Sequence, residues 1–226
     1  MNQSVSDYWQ EQYSINLLNH SKQNTDITKD FLKNSTNIIH EVLSNSQTLI
    51  EMGTGTGELS FELFSRFSNL NKVIGLDLSK EAIQYAKDNY EEAIVQDTGF
   101  RILLYKQYDF AKEPNLSKHF KSPDLIVCSN VLEHFKDPHT LLNKFLDFSG
   151  RVLIIVPYKQ PCTDSYHGEG GAGHVFTFND TSFLDYQIED KFLFSSGGWQ
   201  YSSNGETPLQ FSVLLKKKLD IRKKGN

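Results

Sequence analysis

The stretch Thr48-Leu-Ile-Glu-Met-Gly-Thr-Gly-Thr-Gly57, followed by Glu58-Leu-Ser-Phe-Glu-Leu-Phe-Ser-Arg-Phe67, decides the fold. A short apolar run, glycines at alternate positions and then an apolar-periodic segment read as strand, tight turn and helix. The glycines let the backbone come into contact with a ligand, and the first turn of the helix offers free N–H groups to it. A flat, partly anionic cofactor fits such a turn, although a glycine turn also serves as a plain connection. The second feature is Asp77, which ends the apolar run Lys72-Val-Ile-Gly-Leu-Asp77. It lies about 20 residues past the turn, where nucleotide-binding folds place a carboxylate that accepts both ribose hydroxyls.

Working outward, residues 7–20 put Tyr8, Trp9, Tyr13 and Leu17 near helical spacing and form a short arm. After a polar break, Asn24 or Thr25 is expected to cap a helix with Phe31, Leu32, Ile38, Ile39, Val42 and Leu43 on one face. Beyond Asp77, Ser79 is an N-cap with Glu81 in the first turn, and Ala82, Tyr85, Ala86, Tyr90 and Ala93 keep helical spacing. Strands are expected at 101–105, 124–128 and 151–157. Between the last two, Asp137 and Pro138 open a helix with Leu141, Leu142, Phe145 and Leu146 as its stripe and Gly150 as its stop. This alternation predicts a doubly wound α/β domain.

The remainder departs from alternation. Residues 158–180 read as a long loop rich in Gly, His, Asp and Tyr, and such loops in compact domains are commonly functional. A short helix near 180–186 and two strands at about 191–196 and 209–216 follow, the strands pairing antiparallel at one sheet edge. The whole chain, 1–226, reads as one domain: an N-terminal arm and cap (1–47), a cofactor-binding core (48–157), and an acceptor-side loop with the antiparallel edge (158–226).

A formal charge of −5 and a sequence pI near 5.8 argue against broad phosphate neutralisation, so no nucleic-acid partner is expected. The basic residues Lys216, Lys217, Lys218, Arg222, Lys223 and Lys224 read as a solvated end. Only Cys128 and Cys162 are present, with neither a disulfide framework nor a Cys-x-x-Cys spacing. With neither a leader nor a membrane-length apolar run, a cytoplasmic protein without a membrane partner is expected.

These residues resemble the small-molecule class I S-adenosylmethionine-dependent methyltransferases, the type 11/12-like group. The resemblance rests on the acidic-x-Gly-x-Gly-x-Gly turn from Glu51 to Gly57, on Asp77, and on Asp124-Leu-Ile-Val-Cys-Ser-Asn-Val-Leu-Glu-His-Phe-Lys-Asp-Pro138. It implies a mostly parallel seven-stranded sheet with an antiparallel C-terminal pair, and S-adenosylmethionine as cofactor. Gly53, Gly55 and Gly57 would run under the methionyl part, Glu51 would hold its amino group, Asp77 would bind the ribose, and Thr54 and Leu78 would be further cofactor-binding residues. Asp109 and Phe110 would meet the adenine, Ser129 and Asn130 would meet the methionyl group from the fourth strand, and Tyr13 would close over the cofactor or serve packing alone.

A sulfonium methyl is already electrophilic, so what the protein adds is alignment of an acceptor, exclusion of water and, where needed, a base. His174 is the leading candidate base, beside the apolar run Val175-Phe-Thr-Phe178 and on a loop expected to close over the acceptor. His134 and His167 are the others; His134 also reads as a support for its loop, and the loop as a polar lid. Asp164, Glu169, His167 and His174 match no standard metal spacing, and no metal is expected. The acceptor expected is a small molecule, such as a sugar, a surface-glycan precursor or a phosphorylated metabolite, methylated on oxygen or nitrogen. An NAD(P)-dependent oxidoreductase shares the turn and the ribose acid, and a non-catalytic cofactor-binding protein would share all of it. An amino-directed nucleic-acid methyltransferase is disfavoured because Ser129-Asn-Val-Leu stands where Asn/Asp-Pro-Pro-Tyr belongs.

Overall fold

The computed structural model of the chain describes residues 5–96, 99–110, 112–113, 115–162, 173–196 and 208–218. In chain order the elements are α1 (Val5–Asn34), α2 (Asn37–Asn45), β1 (Thr48–Met52), α3 (Glu58–Arg66), β2 (Lys72–Asp77), α4 (Lys80–Tyr90), β3 (Glu92–Gln96), β4 (Gly99–Gln107), β5 (Leu125–Ser129), α5 (Pro138–Ser149), β6 (Arg151–Pro157), β7 (Gln187–Ser195) and β8 (Leu209–Lys216). The strands form one sheet in the order β3-β4-β2-β1-β5-β6-β8-β7. From β4 to β6 the pairings are parallel, while β3 on β4, β8 on β6 and β7 on β8 are antiparallel.

The central strands are near-continuous apolar runs because they are covered on both faces. Their two-residue period sorts side chains into two cores. Ile50, Ile126, Cys128, Val152, Ile154 and Val156 pack with Leu141, Leu142, Phe145 and Leu146 of α5. Leu49, Leu125, Val127, Leu153 and Ile155 pack on the other face with Phe31 of α1, Leu43 of α2, Leu63 of α3 and Ile83 of α4. β1 is where the chain's winding reverses, since β2 lies on one side of it and β5 on the other, and the carboxyl ends of these strands open the crevice that such folds use for ligands.

Several expectations are corrected. The sheet has eight strands, not seven: α4 ends at Tyr90, and Ala93, expected on that helix, lies in β3. Glu91 is extended (φ −62°, ψ 125°), and pairing with β4 outweighs the modest helical periodicity. The arm and the following helix are both present within α1, two helical segments joined across a kink at Asn16 (φ −128°, ψ 26°), so the break falls earlier than the polar stretch ahead of Asn24. Asn24 and Thr25 lie inside α1; Thr36 is the cap that opens the next helix, accepting from the Ile39 N–H. Asn24 faces Thr56 of the glycine turn instead, its Nδ2 donating to Thr56 Oγ1 at 3.0 Å, so a tertiary contact overrides capping propensity.

Residues 180–186 form successive turns rather than a helix, because Asn179 Oδ1 takes the N–H of Thr181 and the bonds that follow are of the i to i+3 kind. The first strand of the edge pair starts at Gln187, earlier than expected. Among the described residues no helix is long and apolar enough to cross a membrane.

Candidate active site

The turn after β1 is wired to the end of β2 by backbone bonds. The N–H groups of Gly53 and Thr54 donate to the Leu76 carbonyl at 2.7 and 2.9 Å. One carboxylate oxygen of Asp77 accepts the Gly55 N–H and the other the Ser79 N–H, both at 2.9 Å. Gly53 (φ +71°) and Gly55 (φ +54°) occupy the left-handed region. A Cβ at Gly53 would stand 2.2 Å from a Val131 methyl, and one at Gly55 would stand 2.5 Å from the Tyr13 hydroxyl. Gly57 sits against Tyr105 and Ala86, and Tyr105 Oη donates to its carbonyl at 2.8 Å. Its place in this structure is the packing of α3 on α4 and β4.

Three buried acids surround the turn. Glu51 accepts from Thr54 Oγ1 at 2.7 Å and Ser60 Oγ at 2.5 Å. Burial pushes its carboxyl up to about 7 against the opposing effect of those hydroxyls. Burial also raises Asp77 to about 6, although the Ser79 and Gly55 N–H groups pull the other way. Glu58 takes Ser21 Oγ of α1 at 2.6 Å and Thr56 Oγ1 at 2.7 Å.

The arm, the first part of α1, closes over this edge. Ser6 Oγ donates to Asp109 at 2.6 Å, Gln10 bonds Glu81, and Tyr13 is buried over Gly55. Burial works to raise Asp109, yet the bonds from Ser6 and Lys112 hold it below the usual carboxylate value. Trp9 packs edge-on to His134 with ring centroids 4.7 Å apart. Two small cavities, each about 60 Å³, lie between arm and sheet, and Trp9, Tyr13, Gly53, Asn130 and His134 line both. The first also reaches Glu51, Thr54 and Ser129, and the second Asp77, Leu78 and Phe110. Asp109 instead lines a shallow neighbouring pocket with Ser6 and Leu78.

On the far side, β5 runs into Asn130, a non-glycine residue at φ +52°, the kind of backbone strain that collects at ligand sites. A 3-10 turn, Leu132–His134, follows. The Glu133 carbonyl accepts the N–H groups of Val175 and Phe176 at 2.8 and 3.1 Å, which brings His174 next to His134, ring centroids 5.2 Å apart. Burial raises Glu133 to about 8 and lowers His134 to about 3 and His174 to about 4, with the neighbouring His174 adding to the depression of His134. His174 is thus a buried group behind a cavity-wall histidine rather than a residue on an open lid. His167, Asp164 and Glu169 lie outside the described residues. Trp9, His20, Asn24 and Val131 join the cavity walls without having been singled out as site residues. The aromatic spacing of the arm was the available signal for Trp9.

A doubly wound sheet carrying a glycine turn and a strand-end carboxylate at its reversal point defines an enzyme built around a nucleotide-type cofactor. A family model described as a methyltransferase domain matches residues 43–170, more than half of the chain, and the chain belongs to that family: it is a class I S-adenosylmethionine-dependent methyltransferase. A release factor glutamine methyltransferase of Aliivibrio fischeri is 32% identical over 95 residues, a match covering 42% of this chain but only 30% of that protein. Among solved structures, a putative methyltransferase from Bacillus halodurans aligns with a TM-score of 0.58 at 14% identity, over 84% of this chain and 100% of that one. The magnesium protoporphyrin IX methyltransferase of Synechocystis with bound SAH aligns at 0.56 and 12% identity, over 89% and 84%. At these identities the structural likeness is one of fold.

The residues present fit the cofactor. A turn with no room for a Cβ lies beside buried carboxylates of the kind that take an amino group and ribose hydroxyls. The enclosed space is the exception, since cavities of about 60 Å³ fall well short of the roughly 300–1,000 Å³ of small-molecule sites.

Proposed function

We propose that this enzyme moves a methyl group to an oxygen or nitrogen atom of a small molecule, bound where the arm meets the turn after β5. The observation that carries this reading is the wall shared by the two cavities. It runs from Gly53 and Asn130 to His134 and is roofed by Trp9 and Tyr13, so an acceptor would be enclosed beside the cofactor. An enclosed space under a helical arm suits a metabolite better than a polymer. The net charge of −5 agrees, as does the absence of the amino-directed motif at Ser129-Asn-Val-Leu.

The cofactor supplies an electrophilic methyl when bound; the chain supplies alignment and exclusion of water. Glu51, with Thr54 and Ser60 fixing its carboxylate, would hold the amino group, and Asp77 the ribose, with Leu78 and Phe110 flanking the adenine. Asn130, at the cavity wall with Ser129, would orient the methionyl part. His134 is the acceptor-side group in view of the cavity, and His174 acts through it as a positioning residue. The free thiols of Cys128 and Cys162 fit a reducing, cytoplasmic setting.

The test is transfer of radiolabelled methyl from S-adenosylmethionine into a total extract of bacterial cells that is then separated by size. Label in the ultrafiltrate supports the reading. Label confined to protein would move the acceptor toward that of the release factor methyltransferase, and label confined to RNA would refute the charge argument.

A further inference from the structure

We propose that Glu133, His134 and His174 form a binding site for one divalent first-row transition-metal ion, beside the cofactor cavity. Each of the three offers one ligand atom, and these atoms lie within 4.8 Å of one another. Glu133 Oε1 stands 3.8 Å from His134 Nε2 and 3.9 Å from His174 Nε2, too far for hydrogen bonds. Metal–ligand bonds of about 2.0–2.2 Å place donors on one ion roughly 3–3.6 Å apart, so a contraction of roughly 1–2 Å at most completes the set.

An independent observation points to the same ligand. Glu133 is 1% exposed, and neither of its carboxylate oxygens has a hydrogen-bond partner among the described residues. Buried polar groups are almost always satisfied, and a buried carboxylate with nothing to accept from is costly. A cation between the carboxylate and the two rings removes that cost.

The surroundings are those of a prepared site. His134 Nδ1 lies 2.9 Å from the Gly173 carbonyl, which fixes the tautomer with the proton on Nδ1 and the lone pair on Nε2, the atom that faces Glu133. Gly173 itself (φ +64°) leaves no room for a Cβ beside the Tyr8 ring, 2.8 Å away. The two N–H bonds to the Glu133 carbonyl hold the segment carrying His174 against the turn carrying the other two ligands.

Two imidazoles and one carboxylate suit manganese, iron, cobalt or zinc rather than magnesium or calcium, which prefer oxygen. Three protein ligands leave further positions for water. Because His134 also lines the cofactor cavity, an acceptor oxygen could take one of those positions; this last part rests on the methyl-transfer reading above.

The experiment uses the full chain, stripped with chelator and dialysed. Mn²⁺ is titrated by electron paramagnetic resonance of the free ion, and Co²⁺ by visible absorption, without any acceptor. The expected result is one ion per chain, with Glu133→Gln and His174→Ala each weakening uptake by at least about 100-fold, the upper end of what even outer-shell changes cause. The ion should also raise the melting temperature of the native chain. Uptake by Glu133→Gln equal to that of the native protein would overturn the proposal. So would no stoichiometric uptake by native chain whose circular dichroism is intact, which would mean that a shared proton fills the site. If Glu133→Gln does not fold, His174→Gln gives the same readout. Cofactor titration on the same samples keeps this result separate: ion uptake without any methyl acceptor found leaves the site standing, and methylation unaffected by chelator leaves the acceptor reading standing without it.

Discussion

The two sides of the active site are built differently. On the glycine-turn side, backbone N–H groups meet one carbonyl and one carboxylate from the next strand, as when Gly55 meets Asp77, and hydroxyls of Thr54, Ser60 and Thr56 hold Glu51 and Glu58. On the histidine side the bonds join the turn after β5 to a segment beyond β6: Glu133 to Val175 and Phe176, His134 to Gly173. The first side combines a turn that tolerates almost no side chain with the buried acids Glu51, Glu58 and Asp77. The second has no such turn and consists of buried ionisable groups, Glu133, His134 and His174, set against one another.

The comparison can be broken most severely at Gly53. Gly53→Val puts its Cβ into Val131 in a left-handed backbone, so a loss of about 3 kcal/mol of stability and of cofactor binding is expected, measured by urea unfolding and calorimetry. Stability within about 0.5 kcal/mol of the native chain would show that the turn is not shape-limited.

Trp9→Ala tests the roof that joins the two sides. Trp9 contacts Tyr8, Tyr13, His20 and His134, so its removal should weaken cofactor binding by about 1 kcal/mol and speed dissociation in stopped-flow fluorescence. An unchanged off-rate would mean that the arm does not gate the site.

The smallest effect expected is on the pH dependence of stability. Glu51 is raised from its ordinary value near 4.5 to about 7 by burial, so the folded chain holds a proton that the unfolded chain has released. Its contribution is complete below about 4.5 and is lost as the pH rises through about 7. Asp77, raised to about 6, acts in the same direction, and the depressed His134 and His174 act oppositely, losing stability as the pH falls below 6.5. Glu51→Gln should flatten the decline on the alkaline side alone; parallel curves for the two proteins in denaturant titrations would contradict the assignment.

What could be read in the sequence follows the same division. The glycine turn, Asp77 at its strand end, Ser79 bonding the Ala82 N–H and Asp137 bonding the Thr140 N–H are local chemistry, and each stands where its residue type places it. β3 was hidden because Glu92-Ala-Ile-Val-Gln96 continues the apolar spacing of α4, and only pairing with β4 makes it a strand. The break in α1 falls at Asn16 and not in the polar stretch after His20, where Ser21 and Asn24, polar residues that favour breaks, are held in the helix by Glu58 and Thr56. His134 and His174 were visible as histidines, but Glu133 was not, because nothing local to Leu132-Glu-His134 shows that its carboxylate is buried and turned toward a residue far along the chain.

The central claim is that the turn, Asp77 and the arm together hold the cofactor. Titration calorimetry of S-adenosylhomocysteine into the native chain and into Asp77→Ala tests it most directly. One molecule per native chain is predicted, with affinity in the variant lower by about 1.5–3 kcal/mol for each charge-assisted bond lost, at a circular dichroism spectrum matching the native one. Equal affinity in two equally folded proteins would place the cofactor elsewhere.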